Sequence, residues 1–221
     1  VCDTAVRIRQ SGIIEVKGFA QQQVRADMGV WKGYLTVRGQ NLAEAYTRLE
    51  SEMSQVLDHL KRLGFSTDAV AVEPAMTTTL YRMNDSGFQT NQVEGYQLQQ
   101  FVEVGSGEVE KIATLATEAA GLVKTGMEFI SLQPEFYVSF LEEIKLGLIA
   151  QATKDALNRA GQFAEGGNVR VGALRSATQG VFQVTPVNSM DVSGYGIYDT
   201  RTIEKSVKAV VTAHFAIETG A

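Results

Sequence analysis

A chain of 221 residues is long enough for one large domain or two smaller lobes. Its apolar fraction of 44% belongs to globular proteins and argues against a disordered chain. The formal net charge of −5 argues against nucleic acid and against an anionic membrane surface, both of which attract basic faces.

No apolar run approaches the length of a membrane span. The chain opens at Val1 with no methionine and no charged-then-apolar leader. The expectation is a removed signal or anchor segment, or a trimmed chain. Cys2 is the single cysteine, so an internal disulfide is impossible. It reads as a bystander thiol near a terminus, with pairing between chains as the alternative.

Residues 1–11 are polar and aperiodic and read as a tail. Ile13 to Phe19 is short and β-prone, Gln21 to Gly29 is a connection or extension, and Val30 to Arg38 is a second strand. Two such runs in succession predict an antiparallel pair. Asn41 opens a first helix, with Glu44 three residues on in capping-box position. Leu42, Ala45, Tyr46, Leu49, Met53, Val56, Leu57, Leu60 and Leu63 repeat at helical spacing, and Gly64 is the stop.

Ala69 to Glu73 is a strand ended by Pro74. Thr77 to Met83 and Gln92 to Val104 flank Asn84 to Gly87, a turn signal, and predict a long hairpin. Ser106 is the expected cap of a second helix, which runs from Val109 to a stop at Gly126. Phe129 to Phe140 is extended. A third helix then begins at Leu141, with Ala152, Ala156, Ala160 and Ala164 on one face. Small residues at that spacing let a helix axis come close to a sheet. Gly166 and Gly167 offer a left-handed stop.

Beyond them, Val169 and Val171 share a parity that Leu174 breaks, and Gly172 between them predicts a β-bulge. Val181 to Val187 is extended and Asn188 to Thr202 is a loop. The last strand alternates clearly, with Val207, Ala209, Val211, Ala213, Phe215 and Ile217 on one face. Leu49, Leu57, Ile112, Leu148, Val211 and Phe215 are the expected core. A strand–helix–strand order at Tyr34–Glu73 returns at Tyr96–Gln133, but Gly and cap residues punctuate most such units, so a duplication is not inferred.

Catalytic chemistry finds little to build on. Gly105-Ser106-Gly107 stands where a phosphate-binding loop would, yet Glu108 and Glu110 bring negative charge there, which suits a plain helix start. Neither a P-loop nor a Gly-x-Ser-x-Gly elbow is present. His59 and His214 are the only histidines and have no partner at ligand spacing, so each is expected to be solvated or satisfied, and no metal or cofactor is expected. Glu142 and Glu143 point in different directions on a helix and belong to its acidic first turn.

The loop Ser193 to Arg201 combines tyrosines, glycines and charge. The stretch Gly180 to Val187 before it is apolar and poorly protected by charge, as an edge that pairs with another chain would be. Phe182, Tyr195 and Tyr198 are therefore the candidate contact residues between subunits. A covering loop from the same chain is the competing explanation.

The segments GIIEVKGFA, VRADMGVW, LEEIKLGLIAQATKDALNRAGQFAE, ALRSATQGVFQVTP, GYGIYDTRTIEK and AVVTAHFAI are similar to the bacterial SIMPL-domain family, from Gly12 to Glu218. They are packing and turn residues without a catalytic signature. The resemblance implies a two-lobed α+β protein and a secreted or periplasmic location. In some members, outer-membrane-protein-26-like ones among them, it also implies a ring-like or channel-like homo-oligomer and a link to oxidative stress.

The expected architecture is α+β, with mainly antiparallel sheets, three long helices and one SIMPL-type domain over 12–219. Its outer lobe is expected from 12–74 plus 141–219, with Ile13 to Phe19 and Val207 to Ile217 in one outer sheet, and with 75–140 inserted as a second lobe. The expected function is that of a non-enzymatic envelope protein acting through homo-oligomeric assembly. A periplasmic module binding a small molecule or peptide between lobes is the alternative.

Overall fold

The computed structural model describes residues 12–218. The predicted tail and Cys2 lie outside the described residues. Strands and three helices form an α+β fold divided into two compact units. One unit is built from residues 12–26 and 138–218, the other from Asp27–Tyr137. The expected lobe boundaries are thus corrected: 27–74 belong with the inserted segment, and 138–140 leave it. The reason is strand pairing. Strand β1 (Ile13–Arg25) does not pair with β2 (Met28–Gly39), its neighbour in sequence. It pairs along its whole length with the C-terminal strand, from Ile13 opposite Ala216 to Arg25 opposite Glu204.

In the Asp27–Tyr137 unit, β2 is flanked by β5 (Gln89–Ser106) on one side and by β6 (Glu128–Ser131) and β7 (Glu135–Tyr137) on the other. The far side of β5 carries β3 (Val70–Val72) and β4 (Met76–Met83). Helix α1 (Leu42–Arg62) packs on β2 and β5. Asn41 Oδ1 accepts the Ala43 N–H at 2.9 Å and the Glu44 N–H at 3.4 Å, which fixes the helix start. At the other end Gly64 is left-handed, with the Phe65 N–H on the Leu60 carbonyl and the Gly64 N–H on that of Lys61. This closes the helix by a Schellman motif.

The buried stripe of α1 is narrower than its sequence suggests. Ala45, Leu49, Met53, Val56 and Leu60 are buried, whereas Leu42 and Tyr46 are exposed and Leu57 is half-buried. Helix α2 (Val109–Ala119) buries Val109, Ile112, Leu115 and Ala119, then tightens into a 3-10 turn that ends at left-handed Gly126. Ser106 does not cap it. That residue ends β5, and its hydroxyl accepts the Glu108 N–H, ahead of the first helical residue.

In the other unit, helix α3 (Leu141–Gly166) lies over a sheet of β1, β8 (Arg170–Gln179), β9 (Gln183–Pro186), β10 (Ile197–Tyr198) and β11 (Glu204–Glu218). The alanine column does what its spacing implies. Ala152, Ala156 and Ala160 are fully buried, and a Cβ placed on Gly18 of β1 would fall 1.9 Å from the Ala152 carbonyl oxygen. Helix backbone and strand backbone touch here, which only glycine permits. Asp155 on the same helix accepts the Phe19 N–H at 2.8 Å, so the helix also hydrogen-bonds the strand.

The stop of α3 differs from expectation. Gly167 has a φ of −94°, and the left-handed residue is Asn168, at φ 54°. The Val169 N–H reaches the Ala164 carbonyl and the Asn168 N–H that of Glu165, a Schellman motif with asparagine in the glycine position. Along β8 the pairing with β11 is irregular between Ser176 and Val171, so the predicted bulge is present around Gly172.

Candidate functional site

The segment between β9 and β11 has a pinned base and an apolar tip. Its base begins where Gln183, buried on β9, donates from Nε2 to the Ser193 carbonyl at 2.7 Å. The Asp199 N–H donates to the Val184 carbonyl at 2.9 Å, which lays β10 alongside β9 in parallel. Lys208 Nζ donates to the Ser189 carbonyl at 2.6 Å.

The deepest anchor is Lys205, whose side chain is 0% exposed. It stands on the same parity of β11 as Val207 and Ala209, so it points into the core side of the sheet. Its ammonium donates to the Asp199 carbonyl at 2.6 Å and contacts the Asp199 carboxylate at 3.2 Å. Burial pulls the Lys205 ammonium below its ordinary value, against the attraction of Asp199. Burial pushes the Asp199 carboxyl up, but the Thr202 hydroxyl, the Arg201 and Thr202 N–H groups and Lys205 outweigh it and hold it below the usual carboxylate range.

The tip is apolar and in water. Tyr195 is 100% exposed, Met190 92% and Val192 79%. Tyr195 also lines a groove of about 490 Å³, together with Phe182, Tyr198, Val181 and Lys145. Lys145 sits 5.6 Å from the centre of the Phe182 ring and pairs with Glu142 at 2.6 Å. All three residues singled out from sequence therefore meet at one surface feature. Their settings differ: Phe182 packs against the core, Tyr198 is about half exposed and Tyr195 is free of cover.

One premise is corrected. Strand β9 is not a sheet edge, because β10 of the same chain lies along it. The covering-loop explanation applies to the strand, and what remains for a partner is the loop itself. Sequence reading missed the anchors Gln183, Lys205 and Lys208. Lys205 had a signal, since it occupies the buried parity of the most regular strand.

The other candidates are placed as follows. His214, on the open face of the sheet, bridges Ser176 Oγ (2.9 Å from Nδ1) and Glu15 Oε2 (3.3 Å from Nε2), so its ring is satisfied as expected. His59 is not, because its Nε2 is buried and has no hydrogen-bond partner among the described residues. Among those residues no group of three or more His, Cys, Asp or Glu side chains is gathered in metal-binding proximity. No described helix is long and apolar enough to cross a membrane.

The sequence matches the SIMPL family model, described as a protein of unknown function (DUF541), over residues 14–215. The chain belongs to the SIMPL family. The match runs through β1, both sheets, all three helices and the anchored loop, and stops within β11. No curated protein matches this SIMPL chain. A solved structure, an uncharacterized conserved protein from Listeria innocua, aligns at 13% identity over 87% of this chain and 92% of its own, with a TM-score of 0.23. A likeness of that size carries no argument about fold or function.

Proposed function

We propose that this SIMPL protein works without catalysis, as a cell-envelope protein that assembles into a homo-oligomer through the loop between β9 and β11. The observation that carries the reading is the contrast within that loop. Its base is held by part-buried polar contacts from Gln183, Lys205 and Lys208, while Met190, Val192 and Tyr195 stand in solvent. Tyr and Met are enriched at protein interfaces, and three large apolar side chains left exposed on one anchored loop suit a contact. Holding the loop in place beforehand reduces the ordering cost of association. Repetition of one such head-to-tail contact closes a ring where the rotation allows.

The non-catalytic part rests on how the perturbed groups are used. Asp155, Asp199, Lys32 and Lys205 have displaced pKa values, and each is engaged in an ion pair or in holding backbone. The envelope location rests on the resemblance of the sequence segments set out above. Cell fractionation tests it, and an exclusively cytoplasmic protein would refute it.

Light scattering after size exclusion tests assembly. The parent is expected to be oligomeric at micromolar concentration and Tyr195→Glu smaller, with an unchanged circular dichroism spectrum. Tyr195 is the cleaner site, because Phe182→Glu also disturbs the core. A monomeric parent overturns the reading, and an oligomer indifferent to Tyr195→Glu and Met190→Glu moves the contact elsewhere.

A further inference from the structure

The hairpin formed by β4 and the first half of β5 outruns its sheet: β2 pairs β5 back only as far as Tyr96, opposite Thr79, so from Leu80 outward the hairpin is two-stranded. No residue from 76 to 94 is buried, and among the described residues β4 has β5 as its one paired strand. A two-stranded ribbon alone is marginal in water, and it requires a third strand or a packed face. Nevertheless the ribbon is well formed. Asn84 Oδ1 accepts the Ser86 and Phe88 N–H groups at 3.0 and 2.9 Å, and Thr90 donates from its hydroxyl to the Arg82 carbonyl at 2.8 Å.

Its free side is built like a pairing edge. The segment Met76–Met83 reads MTTTLYRM, which is β-prone and carries Arg82 as its sole charge. Soluble proteins commonly blunt a free edge with Lys, Pro or a bulge. Here the register irregularities fall on β5, where Glu94 is the extra residue between the partners of Leu80 and Tyr81. The outer edge of β4 is left regular.

We propose that the β4 edge pairs, antiparallel and about a twofold axis through Thr79, with β4 of a second copy of this chain. The strand is self-complementary in that register. Thr77 faces Tyr81, Thr78 faces Leu80 and Met76 faces Arg82. The two Arg82 side chains lie about 20 Å apart at 3.4 Å per residue, so like charges never meet. A twofold contact consumes both edges and then stops, so an exposed edge of this kind stays compatible with solubility. From Leu80 outward the pairing supplies the third and fourth strands that this part of the ribbon lacks, in a stretch where Met83, Phe88 and Val93 are exposed. This contact lies in the Asp27–Tyr137 unit and is independent of the loop contact proposed above.

The test uses the full chain with Cys2→Ser, so that an introduced thiol is the sole one. Thr79→Cys treated with a mild oxidant or a short bismaleimide is expected to give a covalent dimer, and Arg82→Cys is not. Thr79→Lys, which sets like charges against each other on the axis, is expected to halve the particle mass without changing the circular dichroism spectrum. Tyr195→Glu should leave the Thr79→Cys cross-link intact, which separates this contact from the loop. Equal cross-linking at both positions, absence of cross-linking at Thr79→Cys, or an unchanged mass for Thr79→Lys overturns the proposal.

Discussion

Lys205 Nζ lies 2.6 Å from the Asp199 carbonyl oxygen and 3.2 Å from the Asp199 carboxylate, out of contact with water. The pair joins the start of the last strand to the end of the aromatic loop. Replacing Lys205 with Met would leave Asp199 buried without its cation. Removing one partner of a buried pair costs about 3–5 kcal/mol, and most of that is the stranded charge. Urea unfolding of Lys205→Met is expected to show a loss of this order, with faster proteolysis within 188–202. A loss below about 1 kcal/mol would mean that the pair is not what holds the loop.

Acid should act through the same pair. The Asp199 carboxyl is held below its ordinary value in the folded state. Between the folded and unfolded values the unfolded chain binds more protons, so stability rises with pH there. The contribution is complete above about pH 3.9, the unfolded value, and is lost as pH falls through the lower folded one. Asp155, held low by the Phe19 N–H and then by Arg159, adds to the same acid limb. Asp199→Asn should therefore flatten the stability profile below about pH 4. An acid limb identical to that of the parent would refute the assignment.

Helix α1 allows a paired comparison. Leu60 is fully buried and Leu57 only half so. Leu60→Ala is expected to cost about 2–5 kcal/mol, as large-to-small core changes do. Leu57→Ala should cost less than half as much, because its site opens to solvent. Equal losses in equilibrium unfolding would mean that both side chains are core.

These differences show which features local pattern can carry. The alternation of β11, the caps of α1 and the alanine column of α3 are written in spacing, and the structure follows them. The close contact at Gly18 belongs to that column, yet it becomes visible only once β1 is seen beneath the helix. Pairing of β1 with β2, its neighbour in sequence, lost to a partner almost two hundred residues away, and the placing of 13–19 and 207–217 in one sheet is borne out. Nothing in the period of either strand distinguishes the two partners, so that expectation came from the overall architecture. The loop surface was half legible. Its tyrosines stand out in the sequence, while the polar anchors beneath them read as ordinary surface residues until Lys205 is set on the buried parity of its strand.

Asn168 gives the sharpest local test. It ends α3 in the left-handed region, at φ 54°, where the Cβ of an L-residue costs about 1–2 kcal/mol unless a short polar side chain eases it. Its own N–H and that of Val169 complete the closing hydrogen bonds, so the conformation must persist whatever residue stands there. Glycine adopts it without the Cβ penalty but loses more chain entropy on folding, by roughly 0.5–1 kcal/mol. Asn168→Gly should therefore be near neutral or slightly stabilising. Asn168→Ala lacks both the asparagine side chain and the glycine freedom, and is expected to lose about 1 kcal/mol. The order Gly, Asn, Ala in thermal midpoint checks it. An alanine variant as stable as the glycine one would mean that the helix ends by another route, with Gly167 taking the left-handed role its sequence position suggested.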